Sequence, residues 1–103
     1  MSTDVEAYAI IQDRILVGAI YAEILEKGYV EVSYFIGKKF QRRGYTTQAL
    51  KLIERILIEN LQVHKIKFAI NPNNVASINT AIKFGANFCK SGVCLDYYEK
   101  VIT

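Results

Sequence analysis

The chain has 103 residues, 51% hydrophobic and 22% charged, with thirteen basic against ten acidic side chains for a net charge of +3. That length allows one small domain, residues 1–103, with a modest core; the composition excludes disorder, and so slight a basic excess does not point to nucleic acid. No apolar run approaches the roughly 18 residues that span a bilayer, and the N-terminus lacks a basic stretch ahead of an apolar core, so a cytoplasmic protein with no membrane partner is expected.

Residues 5–12 are rich in strand formers, and Asp13 and Arg14 can turn the chain back. A second apolar run covers residues 15–25 and contains Gly18, where a missing side chain permits a bulge or a close backbone approach. Glu26, Lys27 and Gly28 make the next turn. Residues 29–36 then alternate, with Tyr29, Glu31, Ser33 and Phe35 on one face and Val30, Val32, Tyr34 and Ile36 on the other. Three strands joined by tight turns predict an antiparallel meander.

The third strand runs into a basic turn holding Lys38, Lys39, Arg42 and Arg43, then through Gly44 into a helix predicted over about residues 44–59. In that helix Ala49, Leu50, Leu52, Ile53, Ile56 and Leu57 recur at helical spacing, and Asn60 lies near its end. The first N–H groups of a helix have no partner within it, so this junction is an anion site, and the nearby cations add to the positive end of the helix. Neither G-x-x-x-x-G-K-[ST] nor G-x-G-x-x-G is present, which removes the common nucleotide motifs. What remains is one glycine at a strand-turn-helix junction. Gly44 lets a pyrophosphate approach the backbone, and Tyr45 and Thr46 offer N–H groups in the first turn.

Residues 66–70 alternate as a fourth strand, parallel to the third because a helix connects them in a right-handed crossover. Asn71, Pro72, Asn73 and Asn74 stop it. Asn74 is a good N-cap for a second helix over residues 75–84, with Gly85 as its stop. Residues 88–102 read as a last hairpin turning near Lys90, Ser91 and Gly92. Cys89 and Cys94 read as two reduced thiols, with a small-hairpin disulfide the alternative. They and the lone His64 are too few and too scattered to predict a metal site.

Gln41-Arg42-Arg43-Gly44-Tyr45-Thr46 resembles the acetyl-CoA motif [Q/R]-x-x-G-x-[G/A] of the GNAT N-acetyltransferases, with Thr46 departing from the small residue at the last position. Around it, residues 31–36 resemble the family's fourth strand, and Thr47, Gln48, Ala49 and Leu50 continue as its third helix does. Asn74, Ser77, Lys83 and Gly85 resemble its N-x-x-S and K-x-G signature. The resemblance covers residues 5–102 and is greatest to the ribosomal-protein alanine acetyltransferases and their relatives.

It implies an α/β fold of the α+β kind: a GNAT-like mixed sheet with a three-strand meander, a crossover helix to a parallel strand, a second helix and a C-terminal hairpin. It also implies transfer of an acetyl group from acetyl-CoA to a primary amine, either a protein N-terminus, an amino acid or another small amine. The cofactor would be held by Phe35, Ile36, Gln41, Arg42, Arg43, Gly44, Tyr45, Thr46, Thr47, Asn71, Asn74 and Lys83. Glu31 would act as base, the alternative being a solvated strand residue or a partner for a nearby lysine. The family's tyrosine acid in the fourth helix corresponds here to Ala81, which leaves Tyr97 and Tyr98 as substitutes, with Ser77 a further option. The family's first strand and two helices, which form a lip over the acceptor, have no counterpart in this sequence. A truncated or minimal enzyme, a catalytically weak acyl-CoA-binding module and a homodimer formed through the exposed edge of the family's second strand, almost at which this chain starts, all follow as readings.

Overall fold

The computed structural model describes residues 4–41 and 43–102. Strand β1 (Val5–Gln12) turns at Asp13 and Arg14, both at positive φ, into β2 (Ile15–Glu26). Two consecutive positive φ values give the turn whose twist matches that of a hairpin. The chain continues through β3 (Tyr29–Ile36), a 3-10 turn (Lys38–Phe40), α1 (Tyr45–Leu61), β4 (Lys65–Ile70), α2 (Val75–Phe84), β5 (Asn87–Ser91) and β6 (Asp96–Val101). The sheet order is β1-β2-β3-β4-β6-β5. Every pair is antiparallel except β3 with β4, whose parallel register follows from the α1 crossover.

One face of the sheet carries the core. Ile20, Ala22, Val30, Val32, Ile66, Phe68 and Ile70 pack there against Leu50, Ile53 and Leu57 of α1 and Ala81 and Phe84 of α2. The opposite face carries Tyr21, Ser33 and Phe35, the last 58% exposed, and no helix covers it among the described residues.

Several expectations shift in detail. α1 runs two residues past the predicted end, to Leu61, and closes with Gln62 in the left-handed region. Its buried stripe is narrower than its apolar spacing suggests, because Leu52 and Ile56 point outward. The last hairpin turns over residues 92–95, where the Gly92 N–H donates to the Leu95 carbonyl at 2.7 Å, while Lys90 and Ser91 still belong to β5. The edge strands are β1 and β5, so the strand with which the chain begins, expected to offer its edge to a second copy, lies at an edge of the sheet. Cys89 and Cys94 are free and exposed. No helix among the described residues is long and apolar enough to cross a membrane.

Candidate functional site

The parallel ladder between β3 and β4 is short, pairing Tyr29 with Lys65, Val30 with Ile66 and Glu31 with Lys67, and there it stops. Beyond Glu31 the two strands separate, and α1 and α2 start beside the opening. A cleft of about 740 Å³ lies there. Its lining brings together residues far apart in sequence: Phe35, Ile36, Gln41, Arg43, Gly44, Tyr45, Thr46 and Thr47 from the β3-α1 junction, and Asn74 and Lys83 from α2.

The junction is built to leave donors free. Gly44 is the N-cap of α1 at φ +78°, a conformation that favours glycine, and no side chain caps the helix. The first bond within the helix runs from the Gln48 N–H to the Gly44 carbonyl at 3.1 Å, so the N–H groups of Tyr45, Thr46 and Thr47 have no partner within α1. A Cβ built on Gly44 meets no protein atom within 4 Å, which marks an open approach to those donors. The turn before it is braced. Gln41 donates through Nε2 to the Ile36 carbonyl at 3.2 Å, the Phe40 N–H donates to the Gly37 carbonyl at 2.8 Å, and the Gly37 N–H reaches the Val17 carbonyl at 2.7 Å. Gln41 therefore holds the turn against β3.

The basic cluster divides. Arg43 lines the cleft, whereas Lys38 and Lys39 sit on the exposed 3-10 turn away from its lining, and Arg42 lies outside the described residues. Lys83 supplies a second cation from the opposite wall. Asn71 does not reach the cleft. Its Oδ1 accepts from the Asn73 N–H at 2.8 Å and its carbonyl from the Asn74 N–H at 2.9 Å, so it shapes the turn that ends β4. Asn74 caps α2 as expected, accepting from the Ser77 N–H at 3.2 Å.

The three residues proposed for proton transfer lie outside the cleft lining. Glu31 occupies the fork, at the last paired position of β3, with its carboxylate 3.7 Å from Lys67 Nζ. The same ammonium lies 4.6 Å from the centre of the Tyr97 ring, so Glu31, Lys67 and Tyr97 form one cluster on the uncovered face. Tyr98 is a correction: it faces the other way, 6% exposed among the core residues and edge-on to the exposed Phe88 ring, because neighbours on a strand point to opposite sides. Ala81 is fully buried on the core face of α2. His64 serves the connection into β4, its N–H donating to the Gly28 carbonyl at 2.8 Å.

Sequence reasoning named Asn74 and Lys83 on the α2 wall but missed the residues between them. Ala76, Asn79 and Thr80 line the cleft with Lys83 at helical spacing, and that stripe on the face opposite Ala81 was available as a signal. It also missed Tyr34, which crosses from β3 to α2 and donates to the Ser77 carbonyl at 2.8 Å. Burial pushes its phenol up to about 12, so it remains a donor throughout the physiological range.

Comparison with known proteins places this geometry. Residues 2–87 match the family model described as the acetyltransferase (GNAT) domain. The fold is similar to the PaiA N-acetyltransferase of Thermoplasma acidophilum solved with coenzyme A, at TM-score 0.87 and 15% identity, over 95% of this chain and 61% of that one. It is similar to RimL, a ribosomal L7/L12 α-N-protein acetyltransferase solved with coenzyme A, at TM-score 0.85 and 14% identity, over 95% and 62%. The Campylobacter jejuni N-acetyltransferase PseH with acetyl coenzyme A gives TM-score 0.83 and 13% identity, over 96% and 69%. At such identities the likeness is one of fold. The chain spans about two thirds or less of most of these structures, leaving part of each without a counterpart here. No curated protein matches the sequence.

Proposed function

The chain belongs to the GNAT acetyltransferase family, and from that premise we propose that it transfers an acetyl group from acetyl-CoA to a primary amine. The observation that carries the reading is the uncapped start of α1 beside the point where β3 and β4 part. A pyrophosphate fits the free N–H groups of Tyr45, Thr46 and Thr47, with Arg43 and Lys83 as flanking cations. Phe35 and Ile36 lie on the strand edge that β4 leaves unpaired, which suits the amide groups of a pantetheine arm. Bound acetyl-CoA would supply an acetyl group activated as a thioester.

At the fork, Glu31 is placed to accept the proton of the attacking amine, and Tyr97, one strand beyond β4, offers a hydroxyl on the same face. The acceptor is a protein N-terminus, an amino acid or another small amine, approaching across the uncovered sheet face. We place the activity in the cytoplasm, where Cys89 and Cys94 stay reduced.

A second reading, an acyl-CoA-binding module with weak turnover, is favoured by one observation: α2 presents buried Ala81 where the family carries a tyrosine. Calorimetry with acetyl-CoA and thiol release across a panel of amines and N-terminal peptides separate the two. The enzyme reading expects turnover that Glu31→Gln lowers by about 10²–10⁴-fold while acetyl-CoA affinity holds. Binding without turnover on any amine leaves the binding module, and failure to bind acetyl-CoA removes both.

A further inference from the structure

Of the residues that line the cleft, Tyr34 alone also packs against the core cluster. Its ring stands edge-on to Phe68 of β4, 6.0 Å between centroids at 70°, and Phe68 stands edge-on to Phe84 of α2 at 5.8 Å and 86°. Its hydroxyl is tied to the Ser77 carbonyl in the first turn of α2. The side chain thus bridges the gap that opens where the parallel ladder stops, and an aromatic column backs it from below. Phe35, the next residue, points to the uncovered face and is 58% exposed.

Resting on the acetyl-CoA reading above, we infer that Tyr34 is the floor of the acyl pocket and restricts the enzyme to short acyl groups. The phosphate end of the ligand is fixed at Gly44 and the proton acceptor stands at Glu31, so the reacting carbonyl lies along residues 32–35 between them. At that level the cleft has two walls. The amine comes from the face of Glu31 and Phe35, which leaves the acyl substituent on the face of Tyr34. Val32, on the same face as Tyr34, is only 3% exposed and offers no further depth. A chain longer than a few carbons meets the Tyr34 ring, which cannot swing away while its hydroxyl holds α2 and its edge holds Phe68.

The test is equilibrium binding by calorimetry of free CoA, acetyl-CoA, butyryl-CoA and hexanoyl-CoA to the full chain, its Tyr34→Phe and its Tyr34→Ala variants. Wild type should bind hexanoyl-CoA at least about tenfold more weakly than acetyl-CoA, the scale on which pockets discriminate a few methylenes. Tyr34→Phe keeps the ring and should keep that ratio. Tyr34→Ala removes it and should bring the two ligands within about threefold of each other, each affinity being taken relative to free CoA on the same protein. Should Tyr34→Ala fail to fold by circular dichroism, Tyr34→Val carries the same expectation with more of the core contact retained. Equal binding of all acyl lengths by wild type overturns the inference, as does an unchanged cut-off in a folded small-residue variant; in either case free CoA still binds and the acetyl-CoA reading stands. Loss of free CoA binding in wild type takes down both.

Discussion

Gly44→Ala separates the backbone role of this glycine from its role toward a ligand. The added Cβ meets no protein atom within 4 Å, so the folded state suffers only from a non-glycine residue at φ +78°. That strain is roughly 1–2 kcal/mol, and each 1 kcal/mol lowers the melting temperature of a domain this size by about 4–8 °C. Toward the ligand, the same methyl occupies the open approach to the Tyr45 and Thr46 N–H groups. Losing one charge-assisted hydrogen bond costs about 1.5–3 kcal/mol, or roughly ten- to a hundredfold in Kd. Gly85→Ala is the control for backbone strain: it also forces a left-handed residue, at φ +112°, and the atoms nearest its Cβ belong to the Lys100 side chain, from 3.2 Å, at the C-terminal end of α2. Melting and acetyl-CoA calorimetry on the three proteins should show comparable losses of stability in both variants and a loss of affinity in Gly44→Ala alone. If the two variants bind acetyl-CoA equally well, no phosphate sits at this helix start and the assignment of the cleft falls.

Other expectations follow from single contacts. Asn74→Ala removes the cap of α2 and should lower the unfolding free energy by about 1 kcal/mol in urea titration, whereas Asn74→Asp, which still accepts from the Ser77 N–H, should stay close to wild type. Phe68→Ala empties the centre of the aromatic column, 1% exposed, and should cost about 3–5 kcal/mol, read as a large fall in the urea midpoint. Of the seven tyrosines, Tyr8, Tyr29 and Tyr34 are pushed up to about 12, in each case first by burial and for Tyr8 and Tyr29 also by a glutamate partner. Their neutral forms are favoured in the folded chain, so their contribution to stability is complete below pH 10 and is lost as pH rises from 10 toward 12. Ultraviolet difference titration should show a late tyrosinate phase that merges into the ordinary one on denaturation.

Elements with a strong local signal were legible without coordinates. The alternation in residues 29–36 gave both faces of β3, and Asn74 with Gly85 bracketed α2 correctly, because caps and pleats are decided by a few neighbouring residues. The end of the cleft proposed for the pyrophosphate is equally local, since Gln41 and Gly44–Thr47 follow one another in the chain. Less legible was anything that depends on which face of a helix is claimed by the core. Leu52 and Ile56 looked apolar enough to be buried, yet α1 commits only the arc of Leu50, Ile53 and Leu57, and its outer arc stays wet. Asn71 was expected both to stop β4 and to hold the cofactor; its side chain is engaged by the turn it starts, outside the cleft lining.

The fork shows why the chemical end of the site was the hardest to read. Glu31, Lys67 and Tyr97 are separated by 36 and 30 positions in the numbering, and nothing in the spacing says they meet. They do so because three ladder pairs fix Glu31 opposite Lys67, and the antiparallel return of β6 sets Tyr97 beside Ala69. A slip of β4 by one residue would bring the apolar Ile66 or Phe68 opposite Glu31 and turn Lys67 into the core. The buried run Ile66, Phe68 and Ile70 forbids that slip, since each is at most 6% exposed. The same alternation that packs the core on one side therefore places an ammonium beside the proposed base on the other. Exchanging Lys67 for methionine should leave the core and the melting temperature nearly unchanged, because a surface pair of this kind contributes no more than about 1 kcal/mol. If Glu31 is the base, the variant should lower kcat while acetyl-CoA affinity holds, since the ammonium 3.7 Å away positions its carboxylate at the fork. Turnover that does not change would show that the proton leaves by another route.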